Sequence, residues 1–143
     1  MDRATTRRLE FPLAVAIIGV LGALLINFLL EVRDEYEAAA MQSEAAALRV
    51  YLLERLARRE AVGGPLPESR NPLAWIDYAP PNYVGERAAA PGEGHVWYYD
   101  TRREELIYRY RNGREARYRL ARGTVPAPAG TLGGIGLARV DGQ

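Results

Sequence analysis

Five side chains in the C-terminal half of this 143-residue sequence could do acid–base or metal chemistry: Asp77, His95, Asp100, Glu104 and Glu105. The four carboxylates lack the spacing of a calcium loop. A lone histidine offers neither a nucleophile–base–orienter triad nor a zinc cluster. His95 opens a strand-like segment and reads as structural. Cysteine is absent, which excludes a disulfide framework, a thiolate metal site and a cysteine nucleophile. Gly133, Gly134 and Gly136 imitate a phosphate loop, but no helical pattern follows them. The sequence therefore points to no catalytic constellation, no cofactor and no metal.

A second chemistry is the binding of anions. Residues 101–122 hold eight Arg and three Glu, interleaved with tyrosines. Arg109 and Arg111 share one face of a strand-like segment, and Arg117 and Arg119 share a face of the next. Such a surface could hold DNA phosphates or an anionic envelope polymer. The competing reading is a solvated sheet face whose charges deter edge-to-edge aggregation. Net charge over the whole chain is only +1, so bulk charge names no partner. All 19 basic residues are Arg, which speaks of a GC-rich coding sequence.

These residues must be positioned by elements that begin with an apolar run. Phe11 to Leu30 carries no charge and one clearly polar side chain, Asn27. A hydrocarbon core about 30 Å thick needs about 20 such residues. A secretory signal has a shorter core and a prompt small-residue cleavage site. Here "EVRDEYE" follows instead, so a membrane anchor is the expectation. Arg3, Arg7 and Arg8 precede the run, whereas Glu31, Asp34, Glu35 and Glu37 follow it with one Arg. The positive-inside rule then keeps the amino terminus (1–10) in the cytoplasm. The span is 11–30, and the bulk lies outside.

From Val32 to Ala61 there is no Gly and no Pro, and strong helix formers dominate. Met41, Ala45, Leu48, Leu52 and Leu56 recur as one apolar stripe. Gly63-Gly64-Pro65 has stop chemistry. The spacing predicts that residues 31–62 continue the membrane helix. Segment 63–122 begins as a Pro/Gly-rich ordered loop and then shifts to a period of two. "HVWYYD", "LIYRYR" and "REARYRLAR" read as strands, with "TRREE" as the first turn and Asn112-Gly113 as a two-residue hairpin turn. Leu106, Tyr108 and Tyr110 alternate with arginines, as do Ala116, Tyr118 and Leu120. This predicts a half-buried antiparallel meander whose apolar face is covered by the helix stripe. Residues 123–143 read as an irregular tail with at most an edge strand at 135–140.

Two stretches resemble a known family. "EFPLAVAIIGVLGALL" is similar to the amino-terminal segment of type IV pilins and type II secretion pseudopilins, where a Glu precedes an apolar run. Aligning "AIIGVL" with that block places Glu10 on the family's glutamate. "NPLAWIDYAPPNYVGE", "PGEGHVWYYD" and "ELIYRYRNG" resemble a pattern of minor pilin-like proteins of the mannose-sensitive haemagglutinin (MSHA) type. The resemblance implies a pilin-like α+β fold, with a transmembrane-plus-amphipathic helix on an antiparallel meander. It implies a non-enzymatic, single-pass subunit of a pilus or secretion pseudopilus, seated in a bacterial inner membrane with a periplasmic domain. Its partners would be other pilin or pseudopilin subunits, the inner-membrane assembly machinery and the lipid bilayer. The assembly residues would be Glu10, Arg7, Arg8, Phe11, Ile17, Ile18 and Leu21.

The chain also departs from the family. Thr5 and Thr6 stand where its peptidase site has Gly and Phe. Arg7 and Arg8 replace apolar residues, and Asn27 replaces the helix-kinking Pro. Pro12 is expected near a helix start, where Pro is tolerated. These departures imply a subunit that is neither cleaved nor N-methylated. Glu10 has two readings. One is a counter-charge in an assembly, with Arg7 and Arg8 at hand. The other is an acid placed by the helix dipole.

Overall fold

The computed structural model describes residues 3–123 and 131–140, with side chains from Glu10 onward. The chain divides into two compact units, Met1–Ala39 and Ala40–Gln143. One uninterrupted helix, α1 (Arg3–Val62), contributes to both. It is long and apolar enough to cross a bilayer. Because it begins at Arg3, Pro12 lies inside the helix rather than at its start. The ring nitrogen has no hydrogen to donate to the carbonyl of residue 8. The expected stop is present: Gly63 adopts φ +80°, and its N–H returns to the Arg59 carbonyl at 2.7 Å. Glycine takes this left-handed backbone without steric cost.

Within the second unit, the predicted stripe is the helix's contribution to the core. Met41, Ala45, Leu48, Leu52 and Leu56 are all buried. Each of the larger side chains contributes about 1.5–3 kcal/mol by leaving water. A short 3-10 helix, η1 (Pro72–Trp75), and six strands complete the unit. The strands are β1 (Tyr83–Arg87), β2 (Val96–Asp100), β3 (Glu105–Arg109), β4 (Glu115–Ala121), β5 (Thr131–Leu132) and β6 (Ile135–Arg139). Their order is β1-β2-β3-β4-β6-β5. The class is α+β, a long helix packed on one sheet.

That sheet is mixed, which corrects the all-antiparallel expectation. β1 joins β2 in parallel, with its register shifting between Tyr83 and Glu86. Gly85 (φ +92°) sits at that shift and breaks the strand pattern, a usual site for glycine in a strand. Asn82 is also left-handed (φ +61°), and its carbonyl accepts the Trp97 N–H at 3.1 Å.

The Asn112-Gly113 hairpin exists with a longer loop than expected. Tyr110 N–H donates to the Arg114 carbonyl, and Gly113 N–H to the Tyr110 carbonyl, both at 2.9 Å. Three residues, Arg111 to Gly113, therefore close it, and of these only Gly113 has positive φ. The tail also differs from its reading. β6 is an interior strand between β4 and β5. Gly133 and Gly134, both with positive φ, are the two-residue turn joining β5 to β6. Residues 124–130 and 141–143 of that tail lie outside the described residues.

Burial goes further than a half-buried meander. All of β2 and the first four residues of β3 are buried. One face carries Trp97, Tyr108 and Ala116 in a cross-strand row, with Tyr99, Leu106 and Tyr118 in the next. This face meets α1. Trp97 Nε1 donates to Glu44 Oε2 at 2.6 Å, Tyr118 Oη to Met41 Sδ at 3.3 Å, and Arg49 Nε to the Leu137 carbonyl at 3.3 Å. The Trp97 ring stands 5.1 Å from Tyr108 and 5.8 Å from Tyr118. The opposite face carries Tyr98, Ile107 and the charged residues described next.

Candidate functional site

The apolar part of α1 presents the candidate assembly residues to its surroundings. Phe11, Ile17, Ile18 and Leu21 are all at least half exposed, and Glu10 is exposed. Glu10, Ala14, Ile17 and Leu21 follow at spacings of four, three and four, which puts them on one helical face. Ala16, Ile17, Val20 and Leu21 line a recess of about 260 Å³ with no polar wall. A Cβ on Gly19 or Gly22 would meet nothing within 4 Å, so neither glycine is explained by packing inside this chain. Arg7 and Arg8 belong to α1, but their side chains lie outside the described ones. The dipole reading of Glu10 loses support, because α1 begins seven residues earlier and the dipole acts within the first turn.

The Arg-bearing sheet face is internally compensated. Arg109 pairs with Glu115 at 3.2 Å, its direct cross-strand neighbour. Arg119 Nη2 donates to Glu105 Oε1 at 2.6 Å, and Arg117 approaches Glu105 Oε2 at 3.8 Å. Arg103 lies 3.6 Å from Glu115 and 3.8 Å from Asp100. Arg111 has an interaction of its own in the hairpin loop. Glu105 is 2 % exposed, and its Oε2 accepts no hydrogen bond. A polyanion would have to compete with these built-in carboxylates.

Tyr98 Oη donates to Glu115 Oε1 at 3.3 Å. Burial first, and then the Glu115 carboxylate, push the Tyr98 hydroxyl up to about 12. Burial raises Tyr83 and Tyr99 as well.

The residues with acid–base chemistry are occupied by structural tasks, and of the five only Asp100 and Glu105 stand opposite each other, as cross-strand neighbours of β2 and β3. Asp100 caps the β2–β3 turn, its Oδ1 accepting from the N–H groups of Arg102 (2.8 Å) and Arg103 (3.1 Å). His95 has φ +64°, donates its N–H to the Arg109 carbonyl, and places Nδ1 2.7 Å from Tyr108 Oη. His95 and Asp100 flank opposite ends of β2, while Asp77 is exposed beside Tyr51 and Arg55. Glu104 pairs with Arg70. Among the described residues, no three His, Asp or Glu side chains gather as a metal would need.

The downstream motif proves to be a set of structural locks. Asn71 Oδ1 caps η1 by accepting the Leu73 N–H at 3.0 Å, while Nδ2 donates to Glu86 Oε1 at 2.9 Å. "NP" and "GE" are thus joined across fifteen residues of sequence. Trp75 Nε1 donates to the Ser69 carbonyl at 2.8 Å, and the Arg122 guanidinium lies over its ring. In "PGEG", a Cβ on Gly94 would fall 2.6 Å from Arg111 Cα, so only glycine fits that approach.

Sequence reasoning passed over Glu44, Arg49 and Asn71 as positioning groups. The signal for the first two was their place within or beside the apolar stripe, where an unpartnered charge is costly. No family model, curated protein or solved structure compared with this chain matches it.

Proposed function

We propose that this chain is a non-enzymatic, single-pass membrane subunit of the pilin or pseudopilin kind, acting in assembly of an MSHA-like type IV pilus or a type II secretion pseudopilus. One observation carries the reading. A single helix, Arg3–Val62, offers a wholly exposed apolar stretch in its first part and holds a folded sheet through its second. The first part has length and composition for lipid, and for the helices of other subunits, at no cost to the core. In this reading the amino terminus is cytoplasmic and the sheet periplasmic, because the basic residues precede the apolar run and the acidic ones follow it. Glu10, with Arg7 and Arg8 within one turn, is the polar group at the mouth of the packing face formed by Phe11, Ile17, Ile18 and Leu21. The compensated arginines of the sheet favour this reading over DNA or envelope-polymer binding.

The test is removal of the chain from the cells that make it. Loss of fibres, or of secretion through a pseudopilus, restored by the intact chain and not by a chain starting at Ala40, is the expected outcome. Unchanged fibres and secretion would remove the assembly role.

A further inference from the structure

Asn27 is the one clearly polar side chain between Phe11 and Leu30. It is exposed on α1, and among the described residues it neither gives nor accepts a side-chain hydrogen bond. With the span in a bilayer its surroundings are lipid tails, which offer the amide no partner. Leu30 closes the run three residues later, about 5 Å at 1.5 Å per residue. Side chains of a helix lean towards its amino terminus, so this amide leans deeper into the hydrocarbon rather than out to the headgroups. An unbonded carboxamide there is costly, and a neighbouring helix can satisfy it.

The face that carries Asn27 is built for close approach. Ala16, Gly19, Ala23 and Asn27 follow at spacings of three, four and four, and all four are exposed. Small residues four apart, as Gly19 and Ala23 are, let two membrane helices come near enough for a short side chain to reach across. A Cβ on Gly19 would meet nothing within 4 Å in this chain, so the room is open to a neighbour. This is not the face that carries Glu10. Ala14 stands two residues from Ala16, and Leu21 stands two from both Gly19 and Ala23. Two residues turn a helix by about 200°, which puts Ala14 and Leu21 on the far side.

We infer that a second copy of this chain docks on the face of Ala16, Gly19, Ala23 and Asn27 within the membrane, as a parallel two-fold dimer whose Asn27 carboxamides bond to each other. A carboxamide carries both donor and acceptor, so two of them related by a two-fold axis satisfy each other with no third group. That reciprocity names a second copy, rather than an unrelated helix, as the occupant. Like residues face like residues, so the two helices are in register and the contact closes at two chains. Glu31 lies eight residues past Ala23, which turns it about 80° off the contact line and keeps the like charges apart. Glu10, Ile17 and Leu21 stay uncovered. The inference rests on the membrane-span reading alone and holds whether or not the chain enters a fibre.

The chain lacks cysteine, so one introduced cysteine reports self-contact cleanly. The full chain with Ala23→Cys, made in its own cells in place of the native chain, is oxidised in the membrane with copper phenanthroline and run without reductant. A disulfide dimer is expected, and likewise with Ala16→Cys. Ile18→Cys and Leu25→Cys, on the far side, should give at least about fivefold less. Adding Asn27→Leu to the Ala23→Cys chain should cut the dimer at least about fivefold, the scale of an interhelical hydrogen bond in lipid. Asn27→Gln, which keeps the carboxamide, should retain most of it. No dimer from either near-side cysteine, equal dimer from both sides, or a dimer indifferent to Asn27→Leu overturns the inference. Alkaline carbonate washing of the same membranes reads the span separately. A chain retained without the dimer removes the dimer alone, whereas a chain released by the wash removes the span reading beneath it.

Discussion

Removing Arg119 should harm the protein more than removing Arg119 and Glu105 together. Glu105 is 2 % exposed, and its one hydrogen-bonded oxygen depends on Arg119 at 2.6 Å. In Arg119→Met the carboxylate stays buried, with only Arg117 nearby at 3.8 Å. Breaking a buried pair from one side costs about 3–5 kcal/mol. Arg119 is half exposed and Arg117 gives partial relief, so the cost falls to the bottom of that range or just under it, about 2–3 kcal/mol. For a domain of this size that is roughly 10–20 °C in Tm. In the double variant Glu105→Leu, Arg119→Met, the buried charge is gone, and the loss should fall below about 1 kcal/mol. Urea unfolding of the full chain in detergent, followed by the fluorescence of buried Trp97, measures all three proteins. Equal losses in the single and double variants would refute the reasoning, since the cost would then lie in packing and not in an uncompensated charge.

Other expectations follow from the same geometry. Gly94→Ala should destabilise by about 1–3 kcal/mol, as overpacking does, because the added Cβ meets the Arg111 backbone rather than a movable side chain. Thermal melting would show it. Leu52→Ala, in the middle of the buried stripe, should cost about 2–5 kcal/mol in the same urea titration. Tyr98 keeps its proton longer folded than unfolded, so its contribution is complete below pH 10 and lost as pH rises towards 12. Tyr98→Phe should flatten that alkaline loss in stability measured across the same range, and an unchanged slope would contradict the assignment.

Local periodicity made much of this fold legible. The stripe from Met41 to Leu56 announced both the helix and the face that covers the sheet. The alternation in "LIYRYR" and "ARYRL" announced β3 and β4 and sorted their faces correctly. β1 was hidden because Gly85 interrupts its pattern and it pairs in parallel with the next strand, so no hairpin turn marks the pair. β5 has two residues, too few for any period. The pairing of Arg109 with Glu115 was invisible for another reason. A two-residue turn at Asn112-Gly113 sets Arg109 opposite Ala116, and the extra loop residue moves the register by one. Charges that looked like a binding surface in one dimension became ion pairs in three. Glu10, Ile17 and Leu21 were legible as a face, since helix geometry alone puts them there.

The central claim is that the exposed apolar face of α1 packs against the helices of other subunits. A photo-reactive amino acid in place of Leu21, in the full chain within living cells, tests it most directly. Irradiation should yield discrete protein adducts, and mass spectrometry should identify the partner as a subunit with a membrane-length amino-terminal helix of the same kind. Adducts to lipid alone, with the chain otherwise monomeric while fibres are being made, would contradict the account.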